Sequence, residues 1–134
     1  MPFSRQTMMR TYSPRRFDPL PIVQVIPSRR PGQKLYRVYK AFSYYTDILE
    51  WPEIRVHAGY KSDSASVPRL FWRLFPPSGP WTAAALVHDW LCDTRPCTSR
   101  QAHAIFDEAM RDLGVPAFYR VPMALAVRWF GPRW

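Results

Sequence analysis

The chain has 134 residues and a formal charge of +9, with 47% hydrophobic residues, 16% aromatic residues and 15 prolines. That length fits one domain with a real core and not two, and the apolar content excludes a wholly disordered chain. No apolar run approaches the roughly 18–20 residues of a membrane span, no apolar secretory segment opens the sequence, and Pro2, Pro14, Pro19 and Pro21 break any amphipathic transit helix.

The charge is concentrated at one end. Residues 1–40 hold nine Lys/Arg against Asp18 alone, whereas residues 41–134 carry ten positive and nine negative side chains. A basic segment on a nearly neutral body is a tethering device. Residues 1–34 therefore read as a basic Pro/Arg-rich arm and residues 35–134 as a single domain, with the body expected to fold without residues 1–21. Arg5, Arg10, Arg15, Arg16, Phe17, Arg29 and Arg30 are the candidate partner-binding residues. An acidic protein groove is the favoured target. Nucleic acid, with Tyr12 or Phe17 stacking on bases, is the weaker alternative.

Residues 22–26 form the first expected strand, closed by Pro27 and the Arg29-Arg30-Pro31-Gly32 turn. Residues 35–45 are aromatic and β-branched, and residues 53–57 alternate charged and apolar side chains, which predicts a small antiparallel sheet. After Ser62 the period changes. Ser66 and Pro68 suit the start of a short helix over 66–75, and residues 80–92 suit a buried helix with His88 and Asp89 in its last turns. Thr98 or Ser99 caps a third helix stopped by Gly114, and Pro116 opens a fourth that ends near Gly131. The expected class is α+β, a small antiparallel sheet followed by three or four helices, with an extended basic N-terminal arm.

The chemistry-bearing residues gather between the sheet and the helices. Asp63 falls in the segment before Ser66, where it either serves a site or accepts backbone N–H bonds in a turn. His88 and Asp89 are adjacent on a helix, about 100° apart, so the two side chains diverge. His103 follows on the next helix and shares a face with Asp107. Asp63, His88, Asp89 and His103 supply mixed nitrogen and oxygen donors for a divalent metal such as zinc, with Asp63, His88 and Asp89 as candidate catalytic groups. The same residue types also build structural polar networks. A second metal set, His88, Cys92, Cys97 and His103, has Cys2His2 composition without the usual spacing, and whether Cys92 and Cys97 pair is open. No phosphate-binding glycine loop, nucleophile elbow or His-Glu-x-x-His motif is present in the sequence.

Several separated motifs agree with one family. Ser62-Asp63-Ser64-Ala65-Ser66-Val67-Pro68-Arg69, His88-Asp89-Trp90-Leu91, residues 102–110 and residues 127–131 match in order the phage- and prophage-encoded family catalogued as domain of unknown function 1353, which the chain resembles over residues 50–134. Ser62, Trp90 and His103 stand where the family pattern usually has Thr, Tyr and Asp. The resemblance implies a phage context. The expected function is a virion or tail structural component, found in the virion or in the host cytoplasm before assembly, that docks on other phage structural proteins through its arm. The alternative is a small metal-dependent hydrolase acting on host envelope material.

Overall fold

A computed structural model of the chain describes residues 15–26, 35–62 and 81–134. Six strands precede three helices among these residues: β1 (Phe17–Asp18), β2 (Val23–Ile26), β3 (Leu35–Val38), β4 (Phe42–Tyr45), β5 (Glu53–Val56), β6 (Lys61–Ser62), α1 (Thr82–Thr94), α2 (Ser99–Asp112) and α3 (Ala117–Phe130). The class is α+β. The helix expected over residues 66–75 lies outside the described residues.

The strands make two three-stranded antiparallel sheets, in the orders β1-β4-β5 and β2-β3-β6. The alternation of residues 53–56 is realised: Ile54 and Val56 are buried while Glu53 and Arg55 face outward. Residues 35–45, expected within one small antiparallel sheet, divide into β3 and β4, which belong to different sheets. The chain leaves β3 at Tyr39, whose amide donates to the Ile22 carbonyl at 2.9 Å, and re-enters as β4 in the other sheet. That change of sheet depends on non-local pairing, which side-chain alternation does not encode.

The described residues 15–26 pack against the body. The Arg15 and Arg16 amides each donate at 3.0 Å to the Asp112 carboxylate, and β1 pairs Phe17 with Tyr44. Phe17 is 7% exposed, its ring tilted against Phe42 and edge-on to Tyr44 at 4.9 Å. The rest of the expected arm, residues 1–14 and 27–34, lies outside the described residues, and thermal melting of a chain lacking residues 1–21 tests whether the body folds without them. One aromatic side chain far along the sequence from its partners completes the β1-β4-β5 face, and local periodicity gives no sign of it.

The helices follow their local signals. Thr98 accepts from the Gln101 amide, and the Gln101 side chain accepts from the Thr98 amide, which closes a capping box at the start of α2. Gly114, with φ of +74°, stands just past its end. The buried face of α2, Ala102, Ile105, Phe106, Ala109 and Met110, repeats at helical spacing. α1 has almost no polar face: residues 84–89 and Leu91 are all buried, enclosed by α2 and the strands. α3 buries Met123, Ala126 and Val127 and is followed by Gly131.

Replacing Phe17 by Ala is expected to destabilise the chain by about 3 kcal/mol, because a buried ring is removed from between two aromatic neighbours. Urea unfolding should show a lower midpoint at unchanged slope. An unchanged midpoint would make β1 peripheral. A second test concerns the exit from α3, where a Cβ on Gly131 would lie 2.3 Å from the Val127 carbonyl oxygen, a backbone atom with little room to give. Gly131→Ala should cost about 1–3 kcal/mol by the same measurement.

Candidate functional site

α1 carries His88 with Asp89 beside it and Cys92 one turn on, and α2 brings His103 against His88. His88 is fully buried, and its Nε2 lies 2.9 Å from Nδ1 of His103. Nε2 of His103 lies 3.0 Å from the Pro132 carbonyl oxygen. A carbonyl only accepts, so His103 donates from Nε2 and, being neutral, accepts at Nδ1. His88 must then donate from Nε2, and its Nδ1 is the acceptor. The two rings thus form a directed hydrogen-bond chain from α1 through α2 to the residues after α3.

Burial keeps this chain neutral. Desolvation, with a smaller contribution from His103, pushes the His88 imidazole down to about 3. Burial likewise lowers His103, and Arg133 adds to the effect, while the bond to Pro132 opposes it. The His88 ring is also tilted against the Phe106 ring at 5.1 Å, an apolar neighbour that does not replace the water a charged imidazole would lose. Cys92 Sγ lies 3.8 Å from Nδ1 and 3.7 Å from Nε2 of His88, near both nitrogens rather than in line with one. Burial, reinforced by Asp89 and Asp93, pushes its thiol up to about 12, so Cys92 stays protonated and is not an activated nucleophile. Cys92 and Cys97 are free thiols.

Asp89 takes a different direction. Its carboxylate accepts a hydrogen bond from the Ser62 hydroxyl on β6, and it is only 9% exposed. The offset of about 100° between neighbouring helical residues therefore sends His88 towards α2 and Asp89 towards the β2-β3-β6 sheet. Next along α1, Trp90 stands edge-on to Tyr60 at 5.1 Å and to His57 at 5.4 Å. The Tyr60 hydroxyl donates to Asp93 at 2.6 Å. These contacts make α1 the element on which the polar interior is arranged.

Of the expected set, the structure brings His88 and His103 together and turns Asp89 to Ser62. Asp63 lies outside the described residues. Among the described residues no three His, Cys, Asp or Glu side chains gather as metal ligands, in the Asp/His set or the Cys/His set. Asp107, which shares a helix face with His103, is held by Arg120 at 2.8 Å and Arg111 at 3.2 Å. Among the candidate partner-binding residues, Phe17 is committed to the core, and the Arg16 guanidinium pairs with Asp47 at 2.7 Å and Glu108 at 3.7 Å. Arg15 is exposed, and Arg5, Arg10, Arg29 and Arg30 lie outside the described residues. Sequence reasoning missed Ser62 as the partner of Asp89 and Pro132 as the partner of His103. A hydroxyl next to Asp63 was a usable signal for the first, whereas a backbone carbonyl gives none for the second.

The histidine pair implies a definite response to acid. His88 is held below its ordinary value in the folded chain, so between about pH 6.5 and pH 3 the unfolded chain binds more protons. The stability contributed by the neutral ring is fully present above pH 6.5 and is lost progressively as the pH falls towards 3. His103 acts in the same direction. The urea midpoint should drop steeply from pH 7 to pH 4.5, and His88→Gln should flatten that dependence while lowering stability at pH 7. A midpoint independent of pH over this interval would contradict the neutral, buried assignment.

Comparison with known proteins places this architecture in a family. The chain is 36% identical over 88 residues to "Uncharacterized protein y4jT" of Sinorhizobium fredii (strain NBRC 101917 / NGR234), a match covering 64% of this chain and 25% of that protein. It is 33% identical over 111 residues to "Uncharacterized protein y4iH" of the same organism, covering 78% of this chain and 44% of that protein. The chain thus spans between a quarter and less than half of the length of these relatives. No solved structure matches it significantly. The family model described as "Protein of unknown function (DUF1353)" matches residues 36–127, from β3 through most of α3, and the chain belongs to that family.

Proposed function

We propose that this chain is a docking module of a bacteriophage particle, a virion or tail structural component that engages neighbouring phage proteins. The observation that carries this reading is the outward face of α3. Phe118, Val121, Leu125 and Trp129 are all exposed, Phe118 at 69% and Trp129 at 59%, and they follow one another at helical spacing along a single stripe. The opposite side of the same helix, Met123, Ala126 and Val127, is buried against the body. A helix apolar on both sides is one that expects a cover on both sides.

The buried polar groups favour the same reading over hydrolysis. His88 is enclosed and hydrogen-bonded to His103, Cys92 is a protonated thiol, and the Asp89 carboxylate is turned away from the imidazoles to Ser62. These groups connect elements of the fold. The net positive charge of residues 1–40 supplies long-range attraction to an acidic neighbour, and the stripe supplies the apolar contact that survives salt.

The test is to quantify the protein in purified particles of the phage or prophage that encodes it, for the natural chain and for a Phe118→Ser/Trp129→Ser variant. The natural chain should be a stoichiometric particle component. The variant should unfold cooperatively and still be depleted at least about tenfold from particles, since two exposed aromatic anchors are removed. Absence of the natural chain from particles, together with release of fragments from host envelope material that His88→Gln abolishes, would overturn the docking reading.

A further inference from the structure

A concave site lies between α2 and α3, separate from the His88–His103 junction except for the outer edge of His103. Its cavity is about 600 Å³, the size of a small-molecule site. Arg100 lines it from α2, Arg128 from α3 and Arg133 from the residues after α3, and Leu125 and Trp129 belong to the same lining.

The charges around this cavity do not cancel among the described residues. Asp107, the acidic side chain on its wall, is already engaged by Arg120 and Arg111. Arg133 donates to the Trp129 carbonyl at 3.0 Å, which places its guanidinium at the end of α3. Arg100 and Arg128 form no ion pair among the described residues. Arg100 also belongs to the first turn of α2, where the helix dipole adds positive potential. Three arginines lining one partly enclosed hollow suit the oxygens of a phosphate or carboxylate, and the exposed Trp129 indole on the same lining suits a flat ring.

We infer that this cavity is a binding site for a small organic phosphate of nucleotide type, its phosphate held by Arg100 and Arg128 and its planar ring lying against Trp129. The inference goes beyond docking and rests on the cavity alone. A dianionic phosphate neutralises two of the cations, and the ring covers apolar wall that water solvates poorly. A bare anion would satisfy the arginines and leave the wall wet. An uncharged nucleoside would leave the arginines unpaired.

Calorimetric titration of the full chain with AMP and with UMP tests it, beside inorganic phosphate, adenosine and phosphatidylglycerol vesicles as separate probes. At least one nucleotide should bind with a submillimolar Kd, and adenosine and inorganic phosphate should each bind about tenfold or more weaker. Arg100→Gln and Arg128→Gln should each weaken nucleotide binding about tenfold, Trp129→Ala should weaken it further than it weakens inorganic phosphate, and Lys40→Gln, between β3 and β4, should leave it unchanged. The inference is overturned if neither nucleotide binds at about 5 mM, or if binding is indifferent to Arg100→Gln and Arg128→Gln. It is equally overturned if inorganic phosphate binds as tightly as the nucleotides, or if only the vesicles bind and the same two variants abolish that binding.

Discussion

Enclosing α1 is the constraint from which the rest of the structure follows. Six consecutive residues, 84–89, are buried together with Leu91, so the middle of this helix has no side left for water. Burying it requires cover all round, which α2 and the strands provide. Two of the enclosed residues are polar, and a buried imidazole or carboxylate without partners costs several kcal/mol by order of magnitude. His88 and Asp89 leave the helix about 100° apart and so cannot share one partner. One hydrogen bond goes to α2 and one to β6, and the orientation of α1 about its own axis is fixed by both.

A second row of contacts holds the β1-β4-β5 sheet to α2, and magnitudes decide which of them matter. The Arg16–Asp47 pair is short at 2.7 Å, but Asp47 is 81% exposed, so its contribution is screened and small. Glu108 is better placed. It accepts from the buried Tyr44 hydroxyl at 2.9 Å and from the Asp47 amide at 3.2 Å, and burial, reinforced by Glu108, raises the Tyr44 phenol well above its ordinary range. Apolar burial outweighs both: enclosing a Phe ring contributes about 2–3 kcal/mol, more than an exposed ion pair. Phe17 therefore anchors β1, and the Asp112 bonds to the Arg15 and Arg16 amides set where that strand begins.

The parts of the fold legible in the sequence are those governed by local chemistry. Thr98 with Gln101, Gly114 and Pro116 mark helix ends through capping and backbone preference, and the alternation in residues 53–56 marks β5. The family resemblance likewise holds, with the matched region beginning earlier than expected, at residue 36 in β3. What escaped was non-local. The division of residues 35–45 between two sheets, the burial of Phe17 and the Ser62–Asp89 bond each join segments that no short window contains. The candidate site was half legible for the same reason. The pairing of His88 with His103 follows from two polar residues on adjoining helices, whereas the turn of Asp89 towards β6 depends on where the sheet lies.

α3 links the interior to the surface proposed for docking. Its inner side closes the core with Met123 and Val127, and the chain beyond Gly131 returns so that Pro132 accepts from His103 and the Trp134 indole donates to the Cys97 carbonyl at 2.7 Å. The outer side offers Leu125 and Trp129 both to the exposed stripe and to the arginine-lined cavity. A ligand that contacts Trp129 in the cavity changes the face that a docking protein meets, and the protein changes the ligand's affinity by the same factor. The sign of that coupling depends on which side of the indole each partner uses. A ring that fixes Trp129 in the orientation the partner needs lowers the ordering cost of docking, and one that occupies the same face competes with it.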